Sequence, residues 1–302
     1  MDNLKLLEYS IKHPEPLMDK NYMFLNKHVD LQKYVKKTQN IKNILIAIKE
    51  MKSANISGKT IDKMYLKLDK ELNNYSVFSE FSCFINACDL NNGEVRGKID
   101  LLKKVTDYYL KHRDLNDIVP AEWIQALIDK TTSRKKGQAG EKKLLQLLKT
   151  KRYNFVDTLE DFMSHNKSCA RFSKKGGLSN KNLKRELGVT IGKKNQDKKL
   201  DLLIKNNKNI YFLEAKHIST GGGGQNKQIS ELIDIIRLKT NNKSYHFISF
   251  LDGVHFNTLF KKHKKTKKSD KILIQQKDIK KALKVNKTNY FINTAGFKKL
   301  FR

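Results

Sequence analysis

Asp201, Glu214 and Lys216 are charged residues set inside two otherwise apolar stretches, LDLLIK (200–205) and IYFLEAK (210–216). Charged side chains are depleted from strands this apolar unless they are paired or employed. The intervening KNNKN has the composition of a turn, so the segment predicts a β-hairpin. A hairpin closing on Asn207-Lys208 sets Asp201 opposite Glu214, and opposed residues carry their Cβ atoms roughly 4.5–5.5 Å apart. Side chains alternate along a strand, so Glu214 and Lys216 share a face while Ala215 points away. Two carboxylates and one ammonium therefore occupy one patch of sheet.

Burying two like charges side by side costs free energy unless something offsets them. Lys216 offsets one. A divalent cation offsets the other, and carboxylate oxygens are the donors that Mg²⁺ prefers. Such an ion polarises a phosphoryl oxygen and lowers the pKa of a bound water. Lys216 can hold the nucleophile in line and stabilise charge on a pentavalent phosphorus. The chemistry this predicts is metal-assisted hydrolysis of a phosphodiester. The plainer reading makes Asp201 and Glu214 edge residues paired with the abundant lysines.

The elements around the hairpin follow from periodicity. From Asn21 to about Asp114 apolar positions recur at three and four, as in Ile41, Ile44, Leu45 and Ile48, which predicts helices. Pro120-Ala-Glu-Trp123 reads as the first turn of another helix. SRKKGQAG (133–140) reads as a basic, glycine-bearing connector before the helix EKKLLQLLK. Strands are expected at Tyr153–Thr158, Gly188–Ile191, Leu200–Lys205, Ile210–Lys216 and Tyr245–Leu251. The stripe Ile229, Leu232, Ile233, Ile236 predicts an amphipathic helix between the last two, hence a βαβ crossover and a partly parallel sheet. The expected organisation is a helical lobe over 1–132 and an α/β domain over 133–302 with a basic tail.

Charge names the partner class. Lys and Arg number 62 against 31 acids, a net +31, and only eight of the 62 are Arg. A chain this basic repels itself unless it meets a polyanion. Lysine dominance favours phosphate contact over base reading. The excess is clustered, at net +7 over 134–152, +9 over 166–199 and +13 over 256–302. Nucleic acid is the expected partner. No apolar run reaches the roughly 18 residues of a membrane span, and the N-terminal residues lack a signal-peptide layout, so the expectation is a soluble cytoplasmic protein. Cys83, Cys88 and Cys169 have no disulfide or zinc spacing and are expected as buried free thiols. ISGKT (56–60) lacks the first glycine and the preceding strand of a phosphate-binding loop. His263, Lys265 and Asp270 match a phospholipase D-type nuclease spacing, but inside a lysine run with no strand before them.

Asp201 followed by Glu214-Ala215-Lys216 resembles the PD-(D/E)XK nuclease motif, with Leu200 in place of its usual proline. The order helix, strand, hairpin, helix, strand is similar to the αβββαβ core of that superfamily, with a mixed sheet. The resemblance covers about 141–255. It implies that Asp201 and Glu214 bind Mg²⁺, that Lys216 assists the nucleophile, and that an acid on the preceding helix, by position Glu141, joins the site. EAKHISTGGGGQNKQ followed by a helix, and FISFLDG (247–253), look most like type II restriction endonucleases. That implies site-specific cleavage of double-stranded DNA leaving 5′-phosphate ends, in a prokaryotic cytoplasm. A cognate methyltransferase would protect the host, and a homodimer is the default because two strands are cut.

The glycines Gly221–Gly224 let two backbones approach closely, and a helix N-terminus presents N–H groups to phosphate. Gln225, Asn226, Lys227 and Gln228 are therefore the expected DNA contacts beside the scissile phosphate. Two other functions compete: a non-catalytic basic DNA-binding protein, and another nuclease of the same superfamily acting in repair, on junctions or on RNA.

Overall fold

The computed structural model describes residues 2–56, 58–131, 133–173, 175–191, 200–219, 223–261 and 270–302. The chain forms two compact units, one made of Met1–Met23 with Arg134–Arg302, the other of Phe24–Ser133. The N-terminal helix α1 (Asn3–Lys12), grouped above with the helical lobe, thus belongs to the C-terminal unit.

The Phe24–Ser133 unit holds α2 (Leu31–Ser53), α3 (Lys59–Glu71), α4 (Glu80–Ala87), α5 (Asn92–Val95), α6 (Ile99–His112) and α7 (Ala121–Lys130). Its core joins the stripe Ile41, Leu45 and Ile48 of α2 to Tyr65, Leu68, Phe81, Ile85, Leu102, Val105 and Tyr109. The short α5 is fixed by a capping box, in which Asn91 and Glu94 each satisfy the other's backbone N–H. Of the cysteines only Cys169 is buried; Cys83 on α4 is exposed, and Cys88, which caps that helix, is half-buried against the core of its unit.

The other unit is mixed α/β. After α8 (Ser133–Thr150) come β1 (Asn154–Phe155), α9 (Leu159–Ser164), β2 (Lys167–Arg171), α10 (Asn180–Leu187), β3 (Leu202–Asn206) and β4 (Asn209–His217). They are followed by α11 (Gly223–Ile236), β5 (Tyr245–Asp252), α12 (His255–Phe260), α13 (Asp270–Val285), β6 (Tyr290–Ile292) and α14 (Thr294–Leu300). The sheet runs β1-β2-β3-β4-β5-β6. Strands β2, β3 and β4 are antiparallel neighbours, while the β1–β2, β4–β5 and β5–β6 pairs are parallel.

Both sheet faces are covered. Leu202, Ile204, Tyr211, Leu213, Ile248 and Phe250 meet Leu144 and Leu148 of α8, Leu6 of α1 and Phe297 of α14. The opposite set, Leu203, Ile210, Phe212 and Phe247, meets Leu183 of α10 and Ile235 of α11. Farther along, Leu251 and Phe291 meet α11, α12 and α13 through Ile229, Phe256 and Ile279. Each such Leu, Ile or Phe gains about 1.5–3 kcal/mol on burial.

Three local expectations change. SRKKGQAG is not a connector but the first half of α8, because the Leu144 and Leu148 contacts carry the helix through Gly137 and Gly140. Gly188–Ile191 is not a strand. Gly188 (φ 66°) ends α10 in the left-handed conformation, and Val189 and Ile191 are buried without a ladder. The place beside β3 is taken by KSCAR (β2), whose polar ends hide its buried Ser168, Cys169 and Ala170. The lysine-rich residues 262–269 lie outside the described residues. Among those described, no helix is long and apolar enough to cross a membrane.

Gly253 follows β5 at φ +89°, and a Cβ there would lie 2.5 Å from the Ile218 carbonyl oxygen and 3.0 Å from His217 Cε1. Gly253→Ala should therefore cost about 2–4 kcal/mol through backbone strain and overpacking, lowering the urea midpoint with an unchanged slope. Parent-like stability would refute the close approach.

Candidate active site

The β3–β4 register runs from Asn206↔Asn209 to Leu202↔Leu213. The turn is Asn207-Lys208, and Asn207 takes the left-handed conformation (φ 54°) that Asn tolerates better than most residues. One step beyond the last pair, Asp201 faces Glu214. The Asp201 N–H donates to the Leu213 carbonyl at 3.0 Å, continuing the ladder. Its partner bond does not come from backbone: the Ala215 N–H donates to Asp201 Oδ2 at 2.8 Å. The Asp201 side chain thus replaces a carbonyl at the end of the strand, which fixes the carboxylate against β4.

Glu214 is 2 % exposed, held between Leu213 and Ala215 at the centre of the sheet and in register with Ser249 of β5. Lys216 Nζ lies 2.7 Å from Glu214 Oε1 and 3.7 Å from Oε2 of Glu231, which reaches the site from α11. Burial, reinforced by the Glu214 charge, pushes the Asp201 carboxyl up to about 6, although the Ala215 N–H and Lys216 pull the other way. Burial pulls the Lys216 ammonium down, but Glu214 first, then Asp201 and Glu231, outweigh it and its pKa ends above the ordinary lysine value. Lys216 is therefore a resident cation at neutral pH.

Glu141 sits in the middle of α8, not in its first turn, so no helix-end dipole accounts for it. Its carboxylate pairs with Arg171 of β2, the residue in register with Leu202, and its charge adds to the upward shift of Asp201. Gln225, Asn226, Lys227 and Gln228 lie in the first turns of α11, with Lys227 exposed and the other three half-buried. Asn226 Oδ1 accepts a bond from Gln275 of α13 at 3.4 Å. Gly221 and Gly222 lie outside the described residues. The hairpin thus unites Asp201, Glu214 and Lys216, with Glu141 within electrostatic reach. Glu231 and Arg171 escaped the sequence reading, since neither has a local signature in a chain this rich in charge.

Asp201 and Glu214 offer only oxygen donors, and their mutual repulsion is what a divalent cation would relieve, so the pair suits Mg²⁺. A second acidic group lies elsewhere in the same unit. Glu15, Asp19 and Asp252 bring carboxylate oxygens within 4.8 Å of one another, a spacing that could hold a metal. Lys143 of α8 already stands among them, at 2.7 Å from Asp19 Oδ2, 2.9 Å from Asp252 Oδ2 and 3.6 Å from Glu15 Oε2. Asp252 did carry a sequence signal, a lone acid closing the apolar strand FISFLD.

A family model described as DpnII restriction endonuclease matches residues 149–286. The match runs from the end of α8 through α13 and includes Asp201, Glu214, Lys216 and Gln225 to Gln228, while Glu141 precedes it. It supports a type II restriction endonuclease, a hydrolytic enzyme of DNA. No curated protein and no solved structure matches the chain.

The raised Asp201 pKa has a definite sign. The unfolded chain releases this proton near 3.8 and the folded chain near about 6. Between those values the native state binds more protons, so this contribution to stability is full below the lower pKa and is lost as pH rises through the upper one. Asp201→Asn keeps an acceptor for the Ala215 N–H and removes the charge. With metal chelated at about pH 8 it should melt a few degrees above the parent, and its pH dependence between about 4 and 6 should flatten. A variant that melts no higher would show that Asp201 is not strained by its burial beside Glu214.

Proposed function

We propose that this chain is a type II restriction endonuclease in which Asp201 and Glu214 hold Mg²⁺ and Lys216 serves the attacking water. The observation that carries this reading is the hairpin register, which opposes the two carboxylates beside Lys216 within the segment that matches the restriction-endonuclease family model. When bound, the ion supplies charge neutralisation at the phosphate and a water of lowered pKa.

The protein's own part follows from its charges. Lys216 is protonated at neutral pH and so does not act as the base. Its Nζ donates to the water or to a phosphoryl oxygen, holding the nucleophile in line and offsetting the charge that builds on phosphorus. A water oxygen bonds to phosphorus as that water gives up a proton to solvent, the P–O3′ bond breaks, and the 3′ oxygen leaves with a proton from solvent, giving a 5′-phosphate. Glu214 keeps Lys216 oriented through their 2.7 Å contact, and the Ala215 N–H keeps Asp201 turned toward Glu214. Glu141, paired with Arg171, adds negative charge at the same edge. Gln225 to Gln228 on the first turns of α11 meet the DNA backbone or base edges beside the cut. The PD-(D/E)XK superfamily as the parent fold, the homodimer and the pairing with a protective methyltransferase all belong to this reading.

Duplex phage DNA with Mg²⁺ should give discrete bands. Lys216→Ala should bind duplex with parent affinity and cut about 10²–10³ times more slowly, the cost of removing one electrostatic stabiliser. Cutting at the parent rate would refute the site. Binding that persists with no metal-dependent cleavage in the parent would favour a non-catalytic DNA-binding protein.

The double variant Gln225→Ala, Lys227→Ala should weaken duplex binding and flatten its salt dependence, since removing one phosphate contact lowers the slope by about one. Unchanged affinity and cleavage would remove α11 from the DNA interface.

A further inference from the structure

Four buried or half-buried charges meet beyond the end of β4, where the proposed nuclease reaction has no use for them. Lys143 of α8 donates to both Asp252 oxygens, at 3.0 and 2.9 Å, and to Asp19 at 2.7 Å. Glu15 is 4 % exposed, Asp252 1 % and Lys143 6 %. The Tyr22 hydroxyl donates to Asp252 Oδ2, and the Tyr22 ring stacks on His217 at 3.6 Å between centroids. His217 is the β4 residue after Lys216 and is in register with Asp252. The Ile218 N–H donates to the Asp252 carbonyl at 2.9 Å.

Glu15, Asp19 and Tyr22 all lie on the segment that follows α1, and that segment is tied down independently. The Glu15 N–H donates to Asn257 Oδ1 at 2.8 Å, Asn257 Nδ2 donates to the Glu15 carbonyl at 2.7 Å, and the Thr294 N–H donates to Glu15 Oε1 at 2.6 Å. Gly140 explains itself here. A Cβ at that position of α8 would lie 3.0 Å from the Tyr22 hydroxyl, so a glycine inside a helix admits the strap.

Stability alone does not account for such a cluster. A buried ion pair is often matched or exceeded in stability by apolar residues of the same volume, and what it can add is a single defined arrangement. The arrangement it defines is informative. Neighbouring side chains on a strand point to opposite faces, so holding His217 from one side sets the backbone from which Lys216 projects on the other. Lys143 is also two residues beyond Glu141, so the same contacts set the position of α8 at Glu141, whose charge reaches Asp201.

We propose that Lys143, with Asp252 and the strap residue Tyr22, is a positioning cluster that holds Lys216 and Glu141 in their working places. This rests on the nuclease reading above for the reaction it serves. The cluster touches no reacting atom in this scheme.

Tyr22→Phe removes only the hydroxyl that donates to Asp252 and keeps the ring on His217; Lys143→Met removes the central charge. Folding is checked by circular dichroism, and because Lys143→Met leaves three carboxylates uncompensated, Tyr22→Phe is the variant that decides. Three quantities are read: duplex affinity without metal, Mg²⁺-dependent cleavage at saturating DNA, and amide hydrogen exchange over 214–218 and 137–145. Tyr22→Phe should bind within about twofold of the parent, cut about tenfold more slowly, and exchange faster in both segments, as misplaced catalytic groups lose rate without losing affinity. Parent-rate cleavage with parent-like exchange would overturn the positioning role and leave the nuclease reading standing. Faster exchange in a variant whose parent never cuts would keep the clamp and overturn the nuclease reading.

Discussion

Two carboxylates facing each other across a hairpin set the terms for everything around them. Asp201 and Glu214 repel, and burial removes the water that would screen them. The fold answers with the nearest available positive groups, the Ala215 N–H on Asp201 and the Lys216 ammonium on Glu214. Neither answer works unless the register is held. A slip of one residue would send Glu214 and Lys216 to the opposite face, among Leu202 and Phe250. The left-handed Asn207 at the turn and the long parallel pairing of β4 with β5 are what prevent it.

The helices act on that pair from two sides. From one face α11 brings Glu231 to Lys216, giving the ammonium a second carboxylate. From the other, α8 carries Glu141 toward Asp201 and Lys143 into its own buried cluster. A chain with net +31 thus brings seven of its 31 acids to two places inside one unit. Both places sit at the same end of β4, with Glu214 and Lys216 on one side of the strand and His217 with Asp252 just beyond.

How much of this was legible follows from which information is local. The opposition of Asp201 and Glu214 was readable because a short hairpin fixes its register by its turn, and alternation then assigns the faces. The stripe Ile229, Leu232, Ile233, Ile236 was readable as α11 for the same reason, a period within one element. What the sequence hid depended on partners far along the chain. Glu231 matters only because α11 packs beside β4, and Glu15 matters to Asp252 across more than two hundred residues. The start of α8 was misread because Gly137 and Gly140 weigh against helix locally, and only packing against the sheet and Tyr22 overrides them. The strand β2 was missed because KSCAR shows no apolar alternation, although its pairing with β3 is complete from Lys167 to Arg171.

On the proposed reading, the repulsion that costs the folded chain stability is also what would favour a cation at the site. An Asp201 held near about 6 is poised: close to neutral pH it gives up its proton readily, and each increment of negative charge it gains is felt by Glu214 directly. A cation that relieved both charges would draw on the repulsion between them. Lys216 alone does not discharge it, because one ammonium faces Glu214, Asp201 and Glu231 together. Apolar residues of similar volume at these positions would often leave a core as stable or more so. The strain therefore belongs with the function, and the surrounding apolar core, from Phe212 to Phe250, is what the chain sets against it.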